Sequence, residues 1–84
     1  MYYVYLLACR GGSLYCGYTN DLEKRICAHN SGRGAKYTKS RLPVKLVYSE
    51  AFCEKTDALK RECAIKKMTK QQKLVLIHRQ SSER

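Results

Sequence analysis

Several residue types are scarce in this 84-residue chain, which has no tryptophan, one phenylalanine, one proline and seven acidic residues. No stretch approaches the ~20 apolar residues of a bilayer-spanning helix, so a helical membrane protein is excluded. No Cys-x-x-Cys pair is present, so the sequence gives no support for a structural zinc site. At this length the chain forms one small domain, and a full dinucleotide-binding sheet does not fit.

The cysteines are five in number and none are closely spaced, which argues against a disulfide framework. We therefore predict buried, reduced thiols in a reducing compartment. The apolar run that ends at Cys9 has no basic residue before it and is too short for a signal peptide. The expected location is the cytoplasm, and the expected state is a monomer.

Positive charge dominates, since 17 Lys and Arg against 7 Asp and Glu give a formal net charge of +10. The excess lies after residue 30, and residues 31–45 contain five basic residues and no acidic one. Such a surface favours a polyanion over a merely solvated face, and nucleic acid is the favoured partner. A membrane surface is less favoured because no basic segment has a long apolar face.

The N-terminal region predicts a β-hairpin. Residues 2–9 are nearly all apolar, which is typical of a central strand buried on both faces. Residues 14–19 form a second strand after a glycine-rich turn. A three-residue turn, Gly11-Gly12-Ser13, would pair Cys9 with Tyr15 and place Tyr5 and Tyr15 on one face of the sheet.

Three helices and a third strand follow the hairpin. Asn20 and Glu23 suggest a capping box for the first helix, and Gly32 and Gly34 are predicted to end it. Residues 31–42 read as a basic loop, residues 44–49 as a strand and residues 55–68 as a helix. Thr69 and Gln72 form a second capping-box pattern that starts a short last helix. The predicted domain spans residues 1–79, with a frayed polar tail at 80–84, and its order is ββαβαα around a small three-stranded sheet, an α/β (α+β) fold.

Glu62 lies within the apolar stripe of the helix at 55–68. On a helical wheel it falls about 60° from Leu59, between the apolar positions Ala58 and Cys63. A buried carboxylate is costly unless it binds a metal or forms an ion pair. Lys66, one turn further on, could be the ion-pair partner, and the wheel alone favours neither interpretation.

Arg25 and His29 are four residues apart on the first helix, so their side chains project side by side. His29 falls within about 20° of Leu22, on the inward stripe. An inward histidine beside an arginine suits anion binding, whereas base rates of exposure favour an ordinary helix-end pair. The seven tyrosines fill core space, and a tyrosine phenol can also serve as a general base if its pKa falls.

Together these residues resemble the GIY-YIG nuclease family. The first half-motif is Tyr3-Val4-Tyr5, with Tyr3 in place of the leading glycine, and the second is Tyr15-Cys16-Gly17. Arg25, His29 and the distant Glu62 follow in the family's order, and the resemblance covers about residues 2–78. The family is built on a three-stranded antiparallel sheet with flanking helices, and the chain is similar to its small stand-alone bacterial members.

The resemblance implies roles for five residues. Tyr5 is the candidate general base or water-orienting phenol, and Tyr15 helps to place the phosphate and the water. Arg25 stabilises charge on the phosphate, and His29 orients Tyr5 or shares its proton. Glu62 holds one divalent cation, expected to be Mg²⁺, with Mn²⁺ as an alternative.

The resemblance also implies a DNA-binding surface, with RNA as a second possible partner. Gly17 lets the backbone approach the site, and basic side chains of the loop and the last two helices contact backbone phosphates. The predicted nucleic-acid-binding residues are Gly17, Tyr18, Arg33, Lys36, Lys39, Arg41, Lys66, Lys67 and Lys70. Contacts to phosphates carry no base-sequence information, so structure-specific or non-specific binding is expected.

The leading hypothesis is therefore a metal-dependent endonuclease that cuts DNA in branched, single-stranded or damaged structures. Many family nucleases have an asparagine after the metal-binding glutamate, and none lies between Glu62 and Arg84. Gln71 and Gln72 are the candidates to replace it. A nucleic-acid-binding module without turnover is the alternative, and a protein-interaction domain is a third.

Overall fold

The computed structural model describes residues 1–82 and has a three-stranded antiparallel sheet with helices on both faces. Its elements in chain order are β1 (Tyr2–Ala8), β2 (Leu14–Thr19), α1 (Leu22–Asn30), α2 (Lys36–Lys39), β3 (Lys45–Phe52), α3 (Lys55–Lys66) and α4 (Lys70–Ser82). The predicted α+β fold is confirmed. The prediction missed α2, a single helical turn inside the basic segment that was assigned as a loop.

Strand β1 lies between β2 and β3, which explains its almost entirely apolar sequence. Val4 and Leu6 are buried on one face of the sheet, and Tyr5 and Leu7 are buried on the other. Successive side chains of a strand point to opposite faces, so a central strand covered on both sides has no polar position. The predicted central, doubly buried strand is confirmed.

The helices form two layers around the sheet. On the Tyr5 face, Leu22 and Ile26 of α1 pack against the buried cluster. On the Val4 face, α3 contributes Ala58 and Ile65, and α4 adds Leu76 and Ile77. Residues on the Tyr5 face of the sheet therefore meet α1, which positions the candidate site described below.

The β1–β2 turn has the predicted length, but it lies one residue earlier than predicted. The Cys9 amide donates to the Ser13 carbonyl at 2.9 Å, so the turn consists of Arg10, Gly11 and Gly12. The φ angles of Gly11 and Gly12 are 92° and 89°, in the region that favours glycine. A turn over residues 10–12 puts both glycines at the two positions with positive φ, which explains why it lies one residue earlier than predicted.

This shift changes the strand partners but not the faces. Tyr15 pairs with Leu7, whereas the prediction paired it with Cys9. Tyr5 pairs with Gly17. Because the turn still has an odd number of residues, Tyr5 and Tyr15 lie on the same face, as predicted.

Helix α1 begins one residue later than predicted. Asp21, not Asn20, is the N-cap, and its carboxylate accepts a hydrogen bond from the Lys24 amide at 3.1 Å. The Thr19 hydroxyl accepts from the Asp21 amide at 3.1 Å, which holds Asp21 before the first turn. In contrast, the predicted capping box of α4 is confirmed by reciprocal hydrogen bonds between Thr69 and Gln72.

The buried stripe of α3 is centred on Ala58 and Ile65, both 0% exposed. The predicted stripe also included Leu59 and Cys63, and that assignment is wrong because Leu59 is 39% exposed and Cys63 is exposed as well. Glu62 lies about 50° from the true centre on the helical wheel, so its partly inward position is retained.

All five cysteines are free thiols. Cys9 and Cys16 are buried, as predicted, but the other three are exposed, which corrects the expectation that the thiols are buried. The exposed cysteines are Cys27, Cys53 and Cys63.

Helix α4 continues to Ser82, beyond the domain boundary expected at residue 79, and residues 83 and 84 lie outside the described residues. Gln80 explains the extension, because its side-chain amide donates to the Ser49 carbonyl at 2.7 Å and accepts from the Ser49 amide at 3.3 Å. This pair occupies backbone groups of the edge strand β3, which would otherwise be open to pairing. None of the helices in the described part of the chain has the length and apolar content to cross a membrane.

Replacing Gln80 with alanine removes both hydrogen bonds to the β3 edge. We expect Gln80→Ala to lower the free energy of unfolding by roughly 1–2 kcal/mol, measured by urea denaturation. Gln71→Ala is the control because Gln71 is exposed on the same helix. Equal stability of the two variants would contradict the role assigned to Gln80.

Candidate active site

Cleft size does not identify the site. One cleft, of about 430 Å³, lies between β3 and α4 and contains none of the predicted catalytic residues. A second cleft of about 400 Å³ contains Arg25 together with Tyr18 and Lys55. The candidate site is therefore defined by its side-chain chemistry.

Three aromatic side chains from three elements meet on the α1 face of the sheet. The ring centroids of Tyr5 and Tyr15 are 6.5 Å apart, and that of His29 is 6.1 Å from Tyr5 and 5.4 Å from Tyr15. The sheet register places the two tyrosines on this face, and the inward stripe of α1 brings His29 to them. The predicted tyrosines and histidine thus form one cluster.

His29 is fully buried and both of its ring nitrogens have partners. Nδ1 lies 2.8 Å from the Thr38 hydroxyl, and Nε2 lies 3.1 Å from the Tyr5 hydroxyl. The Thr38 hydroxyl donates its own proton to the Ala35 carbonyl at 2.9 Å, so it must accept from Nδ1–H. A neutral His29 therefore accepts the Tyr5 proton at Nε2. The structure overturns the ordinary helix-end interpretation of His29.

Arg25 approaches the same phenol from one turn earlier on α1. Its Nε donates to the Tyr5 oxygen at 3.4 Å, and the side chain is half-buried. Among the described residues the salt bridges are Arg61–Glu50 and Lys66–Glu62, so Arg25 has no carboxylate partner there. Its guanidinium is available to an anionic ligand, which suits a phosphate.

The environment keeps Tyr5 and His29 neutral. Burial raises the pKa of Tyr5, an effect that the hydrogen bond and charge of Arg25 partly offset. Burial and the nearby Arg25 charge lower the pKa of His29. The hydrogen bond with Tyr5 raises the pKa of Arg25, which remains a cation. Near neutral pH the cluster is thus a protonated phenol, a neutral imidazole and a guanidinium.

Two glycines provide space for these rings. A Cβ on Gly17 would lie 2.5 Å from the Tyr5 hydroxyl oxygen and 3.2 Å from the Tyr15 ring. A Cβ on Gly34 would overlap His29 Nδ1. Gly17 was predicted to contact nucleic acid, whereas the structure shows that it accommodates the Tyr5 phenol.

Glu62 is the carboxylate that the sequence predicts to be the metal ligand. Its side chain is 17% exposed, and Lys66 Nζ lies 3.6 Å from its Oε2. Its charge contributes to raising the pKa of Tyr5, and, with burial, it raises the pKa of Cys16 to about 11, so it lies within electrostatic range of both. The ion pair with Lys66 that the sequence offered is present, and the metal-binding interpretation of Glu62 stays a prediction.

The donor set restricts which cation could bind. The other half-buried carboxylate, Glu50, is engaged by Arg61 at 3.0 Å and by the Tyr48 hydroxyl. No group of three or more His, Cys, Asp or Glu side chains able to hold a metal occurs in the described residues. One carboxylate completed by water fits a hard cation such as Mg²⁺.

The predicted replacement for the missing asparagine is not supported for Gln72. Its side-chain oxygen accepts from the Thr69 amide at 2.9 Å, as part of the α4 capping box. Gln71 is exposed at the start of the same helix. No described contact brings either glutamine to the Tyr5 cluster.

The predicted nucleic-acid-binding residues lie in several places. Tyr18 packs against the core on the α3 face, opposite to Tyr15. The remaining cationic side chains are exposed or half-buried on the loop around α2 and on the last two helices: Arg33, Lys36, Lys39, Arg41, Lys66, Lys67 and Lys70. Three of them are engaged locally, because Arg33 donates to the Ser31 hydroxyl, Arg41 donates to the Tyr37 carbonyl and Lys66 pairs with Glu62.

Sequence reasoning missed Thr38 and Gly34. Thr38 is fully buried and fixes the His29 tautomer, but it lies in a basic segment with no apolar periodicity to mark it. Gly34 was assigned to helix termination together with Gly32. Of these two glycines, Gly32 has a positive φ and Gly34 does not. Gly34 is needed instead because a side chain there would collide with His29.

The GIY-YIG catalytic-domain family matches residues 1–74 of the chain. The chain belongs to the GIY-YIG family. Members of this nuclease family are generally dependent on a divalent metal. The match covers all of the clustered residues, together with Glu62.

Relatives of similar length occur in several bacteria. A UPF0213 protein of Staphylococcus saprophyticus is 58% identical over 76 residues, covering 90% of this chain and 93% of the relative. A UPF0213 protein of Clostridium perfringens is 60% identical over 81 residues, covering 96% and 87%. The solution structure of a UPF0213 protein from Bacillus halodurans is similar with a TM-score of 0.60 at 44% identity, covering 93% of this chain and 84% of that one.

Thr38→Val tests the assigned hydrogen-bond chain. The substitution leaves His29 Nδ1–H buried without an acceptor, so we expect the free energy of unfolding to fall by about 1–3 kcal/mol. Nitrogen NMR shifts of the ring should also report a change in the tautomer equilibrium. Thr38→Ser is the control, because it keeps the hydroxyl. Equal effects of the two variants would contradict the hydrogen-bond chain.

The buried neutral His29 predicts a loss of stability in mild acid. In the unfolded chain a histidine takes up a proton near pH 6.5, whereas the folded protein lowers the pKa of His29. The free energy of unfolding should therefore decrease as the pH falls below 6.5. Urea denaturation at a series of pH values measures this slope. His29→Gln should remove this part of the slope, and an unchanged slope would contradict the assignment.

Proposed function

We propose that the protein is a divalent-metal-dependent endonuclease that hydrolyses phosphodiester bonds in DNA without reading base sequence. The observation that carries this proposal is the Tyr5 oxygen, which lies between Arg25 and His29 with Glu62 in electrostatic range. Membership of the GIY-YIG family supports the same chemistry.

Arg25 is proposed to bind the phosphate that is cut. It is a cation without a carboxylate partner among the described residues, and it lies at the Tyr5 oxygen. A guanidinium matches phosphate oxygens and stabilises the charge that develops on them during attack. Tyr15, in ring contact with Tyr5, is proposed to help place the phosphate and the water.

Tyr5 is proposed to orient the attacking water. Its hydroxyl donates to His29 and accepts from Arg25, which leaves one lone pair on the oxygen for a water hydrogen. Because burial raises its pKa, the phenol is protonated before substrate binds. When a water gives its proton to this oxygen, Tyr5 gives its own phenol proton to Nε2 of His29. Thr38 holds His29 in the tautomer that accepts a proton at Nε2.

Glu62 is proposed to hold the cation, with Mg²⁺ the favoured ion and Mn²⁺ the alternative. When bound, such an ion supplies an activated water and screens the phosphate charge. The single carboxylate fits Mg²⁺, which keeps most of its water ligands. His29 is not proposed as a ligand, because both of its nitrogens are already hydrogen-bonded.

The basic loop and helices are proposed to contact the DNA backbone. The formal net charge of +10 favours a polyanionic substrate. The chain is proposed to act as a monomer, since all five proposed catalytic residues belong to one chain. A cytoplasmic location is proposed from its five free thiols, which fit a reducing compartment.

Glu62→Gln tests the proposed metal dependence. We expect wild-type protein to nick supercoiled plasmid with Mg²⁺ or Mn²⁺ and not with EDTA. The variant should cut at least about 100-fold more slowly, a loss typical of removing one group that stabilises the transition state. Glu54→Gln is the matched control, since Glu54 is an exposed glutamate at the start of the same helix.

The same proteins, measured for DNA binding as well as for cleavage, test the alternative of a binding module without turnover. The missing asparagine and the engagement of Gln72 in the α4 capping box favour this alternative. Salt-sensitive DNA binding without cleavage, unchanged by Glu62→Gln, would contradict the endonuclease proposal and support the binding module. DNA binding that is weak and insensitive to salt would instead support a protein-interaction domain.

A further inference from the structure

A separate cleft lies where the β1–β2 turn meets α2 and the start of α4. It has a volume of about 310 Å³ and is lined by Gly11, Ser13, Leu14, Tyr37, Lys70 and Lys73. None of the proposed catalytic residues line it. It nevertheless adjoins the candidate site, because the Tyr37 ring stacks on Tyr15 with centroids 5.8 Å apart and planes inclined by 27°.

Tyr37 presents a fixed aromatic surface. Tyr37 is 41% exposed, so part of its ring is open to a ligand. The Arg41 guanidinium lies 4.0 Å from the ring centroid and donates to the Tyr37 carbonyl at 2.6 Å. Arg41 and Tyr15 contact the ring and hold it in place, so a ligand meets only the part of the ring that they leave exposed and loses little affinity to ordering it.

The charge of the cleft is positive throughout. Lys70 and Lys73 stand one turn apart on α4, and no acidic residue is among the lining residues. Lys70 Nζ lies over the turn, 3.7 Å from where a Cβ of Gly12 would be. The Ser13 hydroxyl oxygen is buried and has no hydrogen-bond partner among the described residues. The cleft therefore suits a flat ring joined to an anion.

We propose that this cleft binds an unpaired nucleotide of the DNA strand that is cut, with its base against Tyr37 and its phosphate between Lys70 and Lys73. An exposed aromatic ring beside cations is the combination that binds single strands without base preference. A base inside a duplex is covered by its neighbours, so it cannot pack against Tyr37. The inference rests on the proposed function and narrows its substrate to DNA with a single-stranded segment next to the cut.

The first test measures DNA binding without cleavage. Fluorescence anisotropy with EDTA, in a Glu62→Gln background, compares a thymidine oligonucleotide of about 12 nucleotides with a duplex of the same length. Tyr37→Leu keeps an apolar side chain but loses the ring, and it should weaken single-strand binding at least about fivefold relative to duplex binding. Tyr37→Phe should retain wild-type binding. Val75→Ala, an exposed apolar residue on the outside of the cleft, is the control.

Each other result of this test overturns the proposal. Equal loss of single-strand and duplex binding, no loss with Tyr37→Leu, or the same loss with Tyr37→Phe would remove the base contact. Tighter binding of a uridine ribonucleotide strand would make RNA the ligand and overturn the assignment to DNA, whereas equal or weaker binding supports it.

A second variant does not depend on losing the ring. Because the chain has no tryptophan, Tyr37→Trp introduces a single indole as a fluorescent reporter. Its emission should be quenched when the thymidine oligonucleotide binds and much less when the duplex binds. Binding seen by anisotropy with unchanged indole emission would overturn the proposal.

The two proposals fail in different ways. Wild-type protein that binds single strands through Tyr37 but never cuts would contradict the endonuclease proposal and leave the cleft assignment standing. Metal-dependent cleavage that is equally fast on fully paired DNA, with binding insensitive to Tyr37→Leu, would overturn only the cleft assignment.

Discussion

The hydrogen bonds of one buried imidazole join the parts of this molecule that matter for its chemistry. His29 is completely buried, and a buried ring nitrogen is costly unless it is hydrogen-bonded. Thr38 and Tyr5 satisfy both nitrogens and come from α2 and β1. The ring therefore ties two helices to the central strand and fixes the direction in which the Tyr5 hydroxyl points.

Space for this arrangement comes from positions that lack a side chain. Gly17 leaves room for the Tyr5 phenol across the β1–β2 ladder, and Gly34 leaves room for His29. The odd length of the β1–β2 turn keeps Tyr5 and Tyr15 on one face. Arg25 donates to the phenol, so the cluster combines a neutral proton acceptor with a cation, and Glu62 is the carboxylate whose charge acts on Tyr5.

The sequence predicts those parts of the fold and site that periodicity controls. Alternation along the strands predicts the shared face of Tyr5 and Tyr15, and helical spacing predicts that His29 points inward. The wheel of α3 is less reliable, because Leu59 is exposed although its apolar side chain suggested the buried stripe.

The segment between α1 and β3 could not be predicted in this way. Its basic and polar residues show no apolar period, so neither α2 nor the buried position of Thr38 is visible in the pattern. The same holds for the ring contact between Tyr37 and Tyr15, which joins residues that are distant in sequence. The turn position is another such case, because two adjacent glycines allow either placement until the strand register is known.

The most direct test of the account is single-turnover cleavage of plasmid DNA by Tyr5→Phe. This variant removes only the phenol oxygen that Arg25 and His29 hold, and it keeps the ring in its place against Gly17. The account predicts that metal-dependent cutting falls by at least about 100-fold while the fold and the DNA affinity are retained. Cutting at the wild-type rate would contradict the central claim that the Tyr5 oxygen orients the attacking water.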